Sequence, residues 1–466
     1  MPDYKYQQIN QMIRAQIRNQ TLLPGDKIPS IRQLSRQLNV SIGTVQQAYA
    51  ALEDQDLIFP KKRSGYYVKS RQRIFRPDTG AFQPVPSEVS ILETAISVVR
   101  SAANKDLLQL GSAIPNVSGD GVRRLHQEFK RQANKVLNYE EDPSGYLPLR
   151  RRLARCYIDG RRAVDPEDIV ITAGCQEALT IALRCIAEPG DTVLVESPCY
   201  YGVLQALEWY QIKAVEIPVC PDQGMDMGIL ASVLESWPVK GMILNPAFSN
   251  PTGYLYPEHM KVKILELLAA YDLPLIEDDV FSRLGFTQTH PRSIHSYDTD
   301  GRVILCGSIS KMLSPDFRVG WMIPGRYFEK ARTLKFVTTL CNPCHTQFAL
   351  ARFLASRQLE RHLRTVAGVY EKRQRHMIRS IRKWFPASTQ ISRPEGGFLL
   401  WVRLEQGIDG LTLYRNAVSE GVCITPGEIC SPTGRYKNYI RLNYAVASKA
   451  ETESAVKILA RLINCR

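Results

Sequence analysis

The sequence predicts a multidomain protein, with an all-α unit first and then a larger α/β unit whose sheet is mostly parallel and which ends in a smaller α+β part. The 466 residues exceed one domain, and 44% hydrophobic content can fill two or three cores. Apolar residues recur at helical spacing up to about residue 54, whereas strand-like and helix-like runs alternate beyond about residue 110. We expect a first domain over residues 1–70, a linker over 71–90 and a larger domain over 91–466, with a large part over about 115–335 and a small part over about 336–466.

The helices of the first domain are predicted from periodicity and capping residues. A first helix has Tyr6, Ile9, Ile13 and Ile17 on one face. Ser30 can cap a second helix with Gln33 three residues later, and its buried face would be Ile31, Leu34 and Leu38. Ser41 can cap a third helix, whose apolar stripe is Val45, Ala48, Tyr49 and Leu52. This arrangement is a helix-turn-helix.

A basic wing follows the third helix. Leu57–Phe59 and Tyr66–Val68 are predicted strands, joined by a Lys-Lys-Arg-Ser-Gly turn that can contact phosphates. The third helix leaves Ile42, polar residues and a glycine exposed near its N-terminus, the end that such motifs insert into the major groove. The candidate DNA contacts are Arg32, Ser41, Gly43, Thr44, Gln46, Gln47, Lys61, Lys62, Arg63 and Gly65.

The charge distribution favours a polyanion partner for this domain. Residues 1–76 contain thirteen Lys or Arg and five acidic residues, a net charge of +8, and the whole chain has +14. Over half of the excess positive charge therefore lies in the first sixth of the chain, which is typical of a domain that binds double-stranded DNA. A solvated basic face, or a three-helix domain that contacts only proteins, is the alternative.

From Lys69 to about Ser90 the chain is basic and then rich in proline, with no sustained periodicity, which predicts an extended tether.

No apolar run approaches the roughly 18 to 20 residues that cross a bilayer, and the start lacks a signal-peptide pattern, so we expect a cytoplasmic protein without a membrane partner. The eleven cysteines show no disulfide framework, which favours reduced thiols. Cys341-Asn-Pro-Cys344-His345 resembles a haem-attachment pattern, but without an export signal we expect neither haem nor a metal site.

Five polar clusters in the larger domain each follow an apolar run that predicts a buried strand. Because loops after the carboxyl ends of parallel strands meet in one crevice, we expect these clusters to lie together. They are Gly174-Cys175-Gln176, Pro198 to Tyr201, Asn250, Asp278, and Ser308 to Lys311.

The chemistry of these clusters suits pyridoxal 5'-phosphate. The amine of Lys311 can condense with an aldehyde, and the two serines and Arg318 can bind a phosphate. Asp278 can pair with a pyridinium nitrogen and keep it protonated. The backbone of Gly174, Cys175 and Gln176 can hold a phosphate, Tyr200 can stack on the ring, and Asn250 can bond the ring's phenolic oxygen.

From about residue 110 to the end, the chain resembles fold-type I aminotransferases, and the first domain resembles the winged helix of GntR-type regulators. The matching motifs of the larger domain are Asn250-Pro-Thr-Gly253, Glu277-Asp278-Asp279, Ser308-x-Ser310-Lys311, Pro315-x-x-Arg318-x-Gly320-Trp321, Pro394-x-Gly396-Gly397 and Arg441-Leu-Asn-Tyr444. The whole chain is therefore similar to the MocR subfamily of GntR regulators. The resemblance implies that Lys311 carries the internal aldimine, that Ser308, Ser310 and Arg318 bind the phosphate, and that Arg441, with Asn250, holds a ligand's α-carboxylate.

The resemblance also implies a homodimer, because Tyr139 stands where the family sends a tyrosine to the phosphate of the neighbouring subunit. Such a dimer would be two-fold symmetric and domain-swapped. Three positions depart from the family pattern: Ile42 replaces a frequent arginine, Phe281 a tyrosine and Cys175 a serine. Loss of the tyrosine hydroxyl at Phe281 should reduce turnover more than binding.

Two functions remain open at this point. In the first, the protein is a transcription regulator that binds DNA, nucleoid-associated when bound, and senses an amino acid or amine through an external aldimine at Lys311. In the second, it is an active aminotransferase with an appended DNA-binding domain. The basic N-terminal domain and Phe281 favour the regulator, with which a transamination half-reaction is compatible. A regulator with an empty pocket is disfavoured by the intact set of Lys311, Asp278 and Arg318.

Overall fold

The computed structural model describes residues 5–18, 21–22, 26–54, 57–61, 64–68, 84–115, 119–134, 142–157, 163–220, 224–287 and 290–464. The chain forms two compact units, residues 1–74 and residues 75–466. No described helix is both long and apolar enough to span a membrane. None of the ten described cysteines is in a disulfide.

The N-terminal unit is a winged helix-turn-helix, as predicted. Its elements are α1 (Lys5–Arg18), α2 (Ile31–Leu38), α3 (Ile42–Asp54), β1 (Ile58–Lys61) and β2 (Gly65–Val68). The two strands are antiparallel, with Ile58 opposite Val68. Both predicted caps are present, because the Ser30 hydroxyl accepts from the Gln33 N–H at 3.2 Å and the Ser41 hydroxyl accepts from the Thr44 N–H at 3.1 Å.

The core of this unit confirms the predicted stripes of α1 and α3. Val45, Ala48, Tyr49 and Leu52 are all fully buried against the first helix. The prediction for α2 was wrong at one position, since Leu34 is buried but Leu38 is 38% exposed. Leu38 is the last residue of this eight-residue helix, and the left-handed conformation of Asn39 turns the chain away immediately after it.

The larger unit is an α/β structure with a smaller sheet at its C-terminal part. Its helices are α4 (Leu92–Ala103), α5 (Asp120–Gln132), α6 (Leu147–Cys156), α7 (Cys175–Ile186), α8 (Tyr201–Trp209), α9 (Met227–Ser236), α10 (Glu258–Ala270), α11 (Phe328–Thr339), α12 (Cys344–Leu354), α13 (Gln358–Trp384), α14 (Gly410–Ser419) and α15 (Lys449–Asn464). Its strands are β3 (Leu108–Gln109), β4 (Val170–Thr172), β5 (Thr192–Ser197), β6 (Lys213–Cys220), β7 (Gly224–Met225), β8 (Val239–Leu244), β9 (Leu275–Asp278), β10 (Val303–Ser308), β11 (Gly320–Ile323), β12 (Gln390–Ile391), β13 (Leu399–Arg403), β14 (Val422–Cys423), β15 (Thr425–Pro426) and β16 (Tyr439–Asn443).

The central sheet has eight strands in the order β4-β11-β10-β9-β8-β5-β6-β7. β5, β8, β9 and β10 are mutually parallel. β4 has the same direction as β10, because both are antiparallel to β11, which lies between them. The five strands that precede the polar clusters therefore end at one edge of the sheet, as predicted.

The smaller sheet supplies the rest of the site. Its order is β12-β13-β16-β15, and β16 carries Arg441 opposite Trp401 of β13. The separate short strand β14 pairs with β3, which brings residues 108–115 beside this part of the chain. Residues 84–90, the end of the predicted linker, lie against the larger unit, where Ser87 pairs with Ala214 of β6.

Candidate functional site

Lys311 lies just beyond the end of β10, at the edge of the sheet where the clusters meet. Its amine donates a hydrogen bond to the Ala113 carbonyl at 2.6 Å. Desolvation by the surrounding protein, reinforced by the positive charge of Arg441, lowers the Lys311 pKa to about 8, although Asp278 opposes the shift. A substantial fraction of this amine is therefore unprotonated and nucleophilic at mildly alkaline pH.

Asp278 ends β9 as a buried carboxylate with few donors. Its Oδ1 accepts hydrogen bonds from the Val280 N–H at 3.2 Å and from the Cys175 thiol at 3.4 Å. Burial raises the Asp278 pKa to about 6, against the effect of these hydrogen bonds and of the Lys311 charge. No basic side chain of the described residues hydrogen-bonds to it, so a protonated ring nitrogen would supply the missing cation.

Arg318 and Gly174 form a cradle at the start of α7. Arg318 donates to the Ser310 hydroxyl at 3.4 Å and to the Ala173 carbonyl at 2.8 Å. Gly174 has φ +107°, and a Cβ there would lie 2.6 Å from an Arg318 nitrogen. Arg318 itself has a left-handed φ of 48°, a conformation that is uncommon for a residue with a side chain. The loop is thus packed closely around the Arg318 guanidinium. The unpaired N–H groups at the N-terminus of α7 lie beside it.

The two serines before Lys311 have different partners. The Ser308 hydroxyl donates to the Val319 carbonyl at 2.9 Å and accepts from the Ser310 N–H at 3.1 Å, so it braces the turn. The Ser310 hydroxyl lies within hydrogen-bond distance of Arg318, on the side of the cradle. Of the two hydroxyls, that of Ser310 is placed to share a phosphate with the guanidinium.

The remaining predicted cofactor residues lie at the start of α7, in the loop before α8 and just after β9. Gln176 donates to the Gly202 carbonyl at 2.8 Å and accepts from the Tyr200 hydroxyl at 3.3 Å, which ties the start of α7 to the loop before α8. Burial, together with the nearby Tyr201 and Asp278, raises the Tyr200 pKa above its ordinary value. Phe281 is buried and packs edge-on against Phe398, with ring centroids 5.3 Å apart.

Arg441 is a fully buried guanidinium that has no carboxylate partner among the described residues. It donates to the Asn250 amide oxygen at 2.8 Å, to the Gly111 carbonyl at 2.5 Å and to the Thr425 hydroxyl at 3.1 Å, while its Nε makes no hydrogen bond. Its Cζ lies 5.5 Å from the centre of the Tyr201 ring. A buried cation held only by neutral acceptors is a receptor for a carboxylate.

A buried ion pair braces the cradle from behind. Glu177 accepts from the Ala173 N–H at 2.5 Å, so the Ala173 peptide is held by Glu177 on one side and by Arg318 on the other. Lys335 of α11, whose side chain is 0% exposed, lies 3.2 Å from the same carboxylate, and the Thr339 hydroxyl donates to it at 2.9 Å. The network links the C-terminal turn of α11 to the cradle.

The predicted DNA contacts have been located in part. Arg32, Ser41, Gly43, Gln46, Gln47 and Lys61 are exposed, and Thr44 and Gly65 are half-buried. The ammonium of Lys61 lies 5.7 Å from the centre of the Tyr67 ring of the wing. Lys62, Arg63 and Tyr139 lie outside the described residues.

Sequence reasoning missed several groups that complete the site. The carbonyls of Gly111 and Ala113 hold Arg441 and Lys311, but backbone acceptors have no residue-type signal. The role of Asn245 was not predicted: its amide nitrogen donates to the Asp278 carbonyl at 2.6 Å, and its amide oxygen accepts from the Asn250 N–H at 2.7 Å. Lys335 and Glu177 are 158 positions apart, so only the fold could pair them.

Comparisons with known proteins agree with this architecture. The profile of aminotransferase class I and II matches residues 105–459, and that of the bacterial regulatory proteins of the gntR family matches residues 5–68. Over 98% of both chains, the sequence is 36% identical to the HTH-type transcriptional regulator YjiR of Escherichia coli. It is 31% identical to aromatic-amino-acid aminotransferase 1 of Thermococcus litoralis, over 78% of this chain and 90% of that one.

Solved structures extend the likeness to the site-bearing unit. The kynurenine aminotransferase of Pyrococcus horikoshii is 31% identical and superposes with a TM-score of 0.71, over 80% of this chain and 94% of that one. LysN, the α-aminoadipate aminotransferase of Thermus thermophilus, is 26% identical with a TM-score of 0.73, over 78% and 94% of the two chains.

Fold and site together define a DNA-binding winged helix joined to a pyridoxal-phosphate-dependent aminotransferase unit of fold type I. The chain belongs to the MocR type of the gntR family of transcription regulators. Pyridoxal 5'-phosphate is the cofactor that this family implies. The residues present fit it, because no basic side chain in the described part of the chain hydrogen-bonds to Asp278, and a Cβ at Gly174 would lie 2.6 Å from the Arg318 guanidinium.

Proposed function

We propose that this regulator changes its affinity for DNA when an amino acid or a related amine binds beside Lys311. The observation that carries the proposal is the buried Arg441, which faces Asn250 and has no described carboxylate partner. Arg441 and Lys311 donate to the carbonyls of Gly111 and Ala113, which belong to one short segment, so the two basic groups lie close enough to act on one small molecule. A ligand with an amine and a carboxylate matches this pair.

The cofactor would be held by residues from all five strand ends. Asp278 would pair with the ring nitrogen, Tyr200 would cover the ring, and Arg318, Ser310 and the start of α7 would bind the phosphate. When bound, pyridoxal phosphate supplies an aldehyde carbon for which the amines of Lys311 and of a ligand compete. Asn250 would hydrogen-bond both the phenolic oxygen of the cofactor ring and the carboxylate of the ligand.

The ligand would act on the fold by joining its two sheets. Arg441 lies on β16 of the smaller sheet, whereas Lys311 and Asn250 lie at the edge of the central sheet. A carboxylate bound by Arg441 and an amine bound at the Lys311 position fix these parts relative to each other. The protein would act as a two-fold symmetric, domain-swapped homodimer in which Tyr139 reaches the phosphate site of the partner subunit. In such a dimer, a change within each subunit alters the spacing of the two DNA-binding units. The DNA that they bind would be nucleoid DNA in the cytoplasm.

A reduction experiment tests the cofactor attachment on which the proposal depends. Sodium borohydride should fix the cofactor covalently to the wild type and should leave Lys311→Ala without label. Lys261→Met, which removes another buried lysine amine, should be labelled like the wild type. Wild-type protein that takes up no cofactor, or Lys311→Ala that is labelled to the same extent, would contradict the assignment.

The second candidate is an active aminotransferase, and the Lys311 pKa of about 8 favours it, because such an amine can accept and return a proton near neutral pH. The 31% identity to an aromatic-amino-acid aminotransferase also supports it. Steady turnover of an amino acid with a 2-oxo acid, at a rate unchanged by deletion of residues 1–75, would favour the enzyme. A single half-turnover that stops, together with ligand-dependent DNA binding, favours the regulator.

A further inference from the structure

The N-terminal end of α3 exposes an isoleucine that the domain does not use for packing. Ile42 is 49% exposed, and it belongs neither to the core of this unit nor to the partly buried residues that pack against it. A single exposed isoleucine needs no explanation by itself. Ile42, however, is the first residue of the helix whose N-terminal end enters the major groove in proteins of this class.

The hydroxyls around Ile42 are already engaged. The Ser41 hydroxyl accepts from the Thr44 N–H at 3.1 Å and shares a 2.8 Å hydrogen bond with the Thr44 hydroxyl. The Ser41 side chain thus caps the helix, and the Thr44 hydroxyl is bonded to that cap. The uncommitted side chains of this face are Ile42 and, one turn later, the exposed Gln46.

Gly43, the residue after Ile42, is a second feature of this helical turn that packing inside the unit does not explain. A Cβ at Gly43 would meet nothing closer than the Ser41 hydroxyl at 3.8 Å, so packing inside the unit does not require glycine. A glycine within a helix costs about 0.5–1 kcal/mol relative to alanine. The missing side chain leaves the backbone of the first helical turn open to close contact, beside an apolar group.

We propose that Ile42 contacts the 5-methyl group of a thymine in the major groove, and that Gln46 bonds an adenine edge nearby. The thymine methyl is the apolar group among the base edges of that groove, and glutamine is suited to the donor and acceptor of adenine. Each half-site therefore contains a thymine that is read through its methyl group. The inference deepens the proposed function and rests on its DNA-binding part.

Replacement of thymine by uracil tests this contact, because it removes only the methyl group. The full-length protein with its cofactor first selects its tightest duplex from a random DNA library. Each thymine of the selected duplex is then replaced by uracil in turn. At the position read by Ile42 the wild type should lose about fourfold in affinity, the ratio that corresponds to roughly 0.8 kcal/mol for one buried methyl-sized group.

Substitution of the residue should remove the dependence on the methyl group. Ile42→Ala should bind the thymine and uracil duplexes equally, at the weaker affinity. Leu38→Ala is the matched control, since Leu38 is also exposed, at 38%, but lies at the end of α2, and it should keep the fourfold ratio.

The possible failures are distinguishable. A wild type that binds every uracil duplex as tightly as the thymine duplex overturns the inference and leaves DNA binding intact. If no duplex is selected above non-specific binding, the proposed function itself fails. If Ile42→Ala keeps the fourfold ratio, or changes only the oligomeric state of the protein, Ile42 serves a protein contact and the inference is wrong.

Discussion

Lys311 and Asp278 have shifted pKa values for the same reason, since the site that gathers them excludes water. Burial disfavours both charged forms, so the lysine pKa falls to about 8 and the aspartate pKa rises to about 6. Each shift is opposed by the charge of the other residue. Near neutral pH the lysine therefore has a reactive neutral fraction, while the aspartate, with a pKa of about 6, is still mostly ionised and can pair with a protonated ring nitrogen.

The Lys311 pKa predicts how cofactor capture depends on pH. Capture needs the neutral amine, so its rate in cofactor-free protein should rise between about pH 6.5 and about pH 9.5, with a midpoint near pH 8 rather than near the ordinary value of about 10.4. Arg441→Gln removes a charge that lowers this pKa, so its midpoint should lie higher. Stopped-flow absorbance measures the midpoints of the wild type and of Arg441→Gln. The reaction of the cofactor with a simple alkylamine is the reference that accounts for titration of the cofactor itself. A wild-type midpoint at or above about pH 10 would contradict the assignment.

Asp278→Asn should weaken cofactor binding by removing a charge-assisted hydrogen bond. Such bonds contribute about 1.5–3 kcal/mol, so the dissociation constant should increase roughly ten- to hundredfold. Equilibrium titration of cofactor-free protein measures it. Asp279→Asn is the control, because Asp279 is an equally buried neighbour that bonds the Tyr157 hydroxyl at 3.2 Å. Equal losses in the two variants would mean that Asp278 is only structural.

At the residue scale, side chains with distinctive chemistry were predictable and their surroundings were not. The sequence predicted Lys311, Asp278, Arg318 and Arg441 as members of one site, and the fold brings the strand ends that carry them together. It could not predict that Cys175 donates its thiol to Asp278, because the two residues are 103 positions apart in the chain. Carbonyl acceptors such as Ala113 have no signature in the sequence.

At the scale of elements, α11 reaches the cofactor cradle through one buried ion pair. Glu177→Gln replaces the carboxylate partner of Lys335 by a neutral amide and leaves the ammonium with the Thr339 hydroxyl, which should destabilise the larger unit by about 1–3 kcal/mol. Adding Lys335→Met should restore most of this stability, while cofactor affinity stays reduced because the Ala173 peptide has lost its carboxylate. Urea unfolding and cofactor titration separate the two effects.

The control for this pair is an ion pair that is exposed. Asp120→Asn breaks the contact with Arg123, whose atoms are 2.7 Å apart but whose side chains are largely in water. Its urea midpoint should equal that of the wild type. An unchanged midpoint in Glu177→Gln as well would show that the buried pair does not brace the cradle.

The helices and strands that could be predicted from the sequence were those with a strong apolar periodicity or a capping residue. The third helix has a full apolar stripe and a serine cap, and both were found where predicted. β11 was not predicted: it inserts antiparallel between β4 and β10, a pairing of distant segments that local patterns do not encode. The prediction that Leu38 is buried was wrong because this leucine, although at helical spacing, is the last residue of a short helix and lies beyond the face that packs against the core.

At the scale of the whole molecule, the two compact units should divide the two activities. A variant without residues 1–75 should keep wild-type cofactor affinity and lose DNA binding. Cofactor titration and fluorescence anisotropy with a selected duplex measure the two. Residual specific DNA binding by the truncated protein would place the nucleic-acid interface elsewhere.

A coupled titration shows whether an amine bound beside Lys311 controls the affinity of the protein for DNA. Affinity for a selected duplex is measured across a panel of amino acids and amines, with the cofactor's absorption followed in the same samples. A ligand that changes the absorption should also shift the DNA affinity of the wild type by about 5- to 150-fold, and should leave the DNA affinity of Lys311→Ala unchanged. An equal shift in Lys311→Ala, or ligands that change the absorption while DNA affinity stays constant, would contradict this prediction.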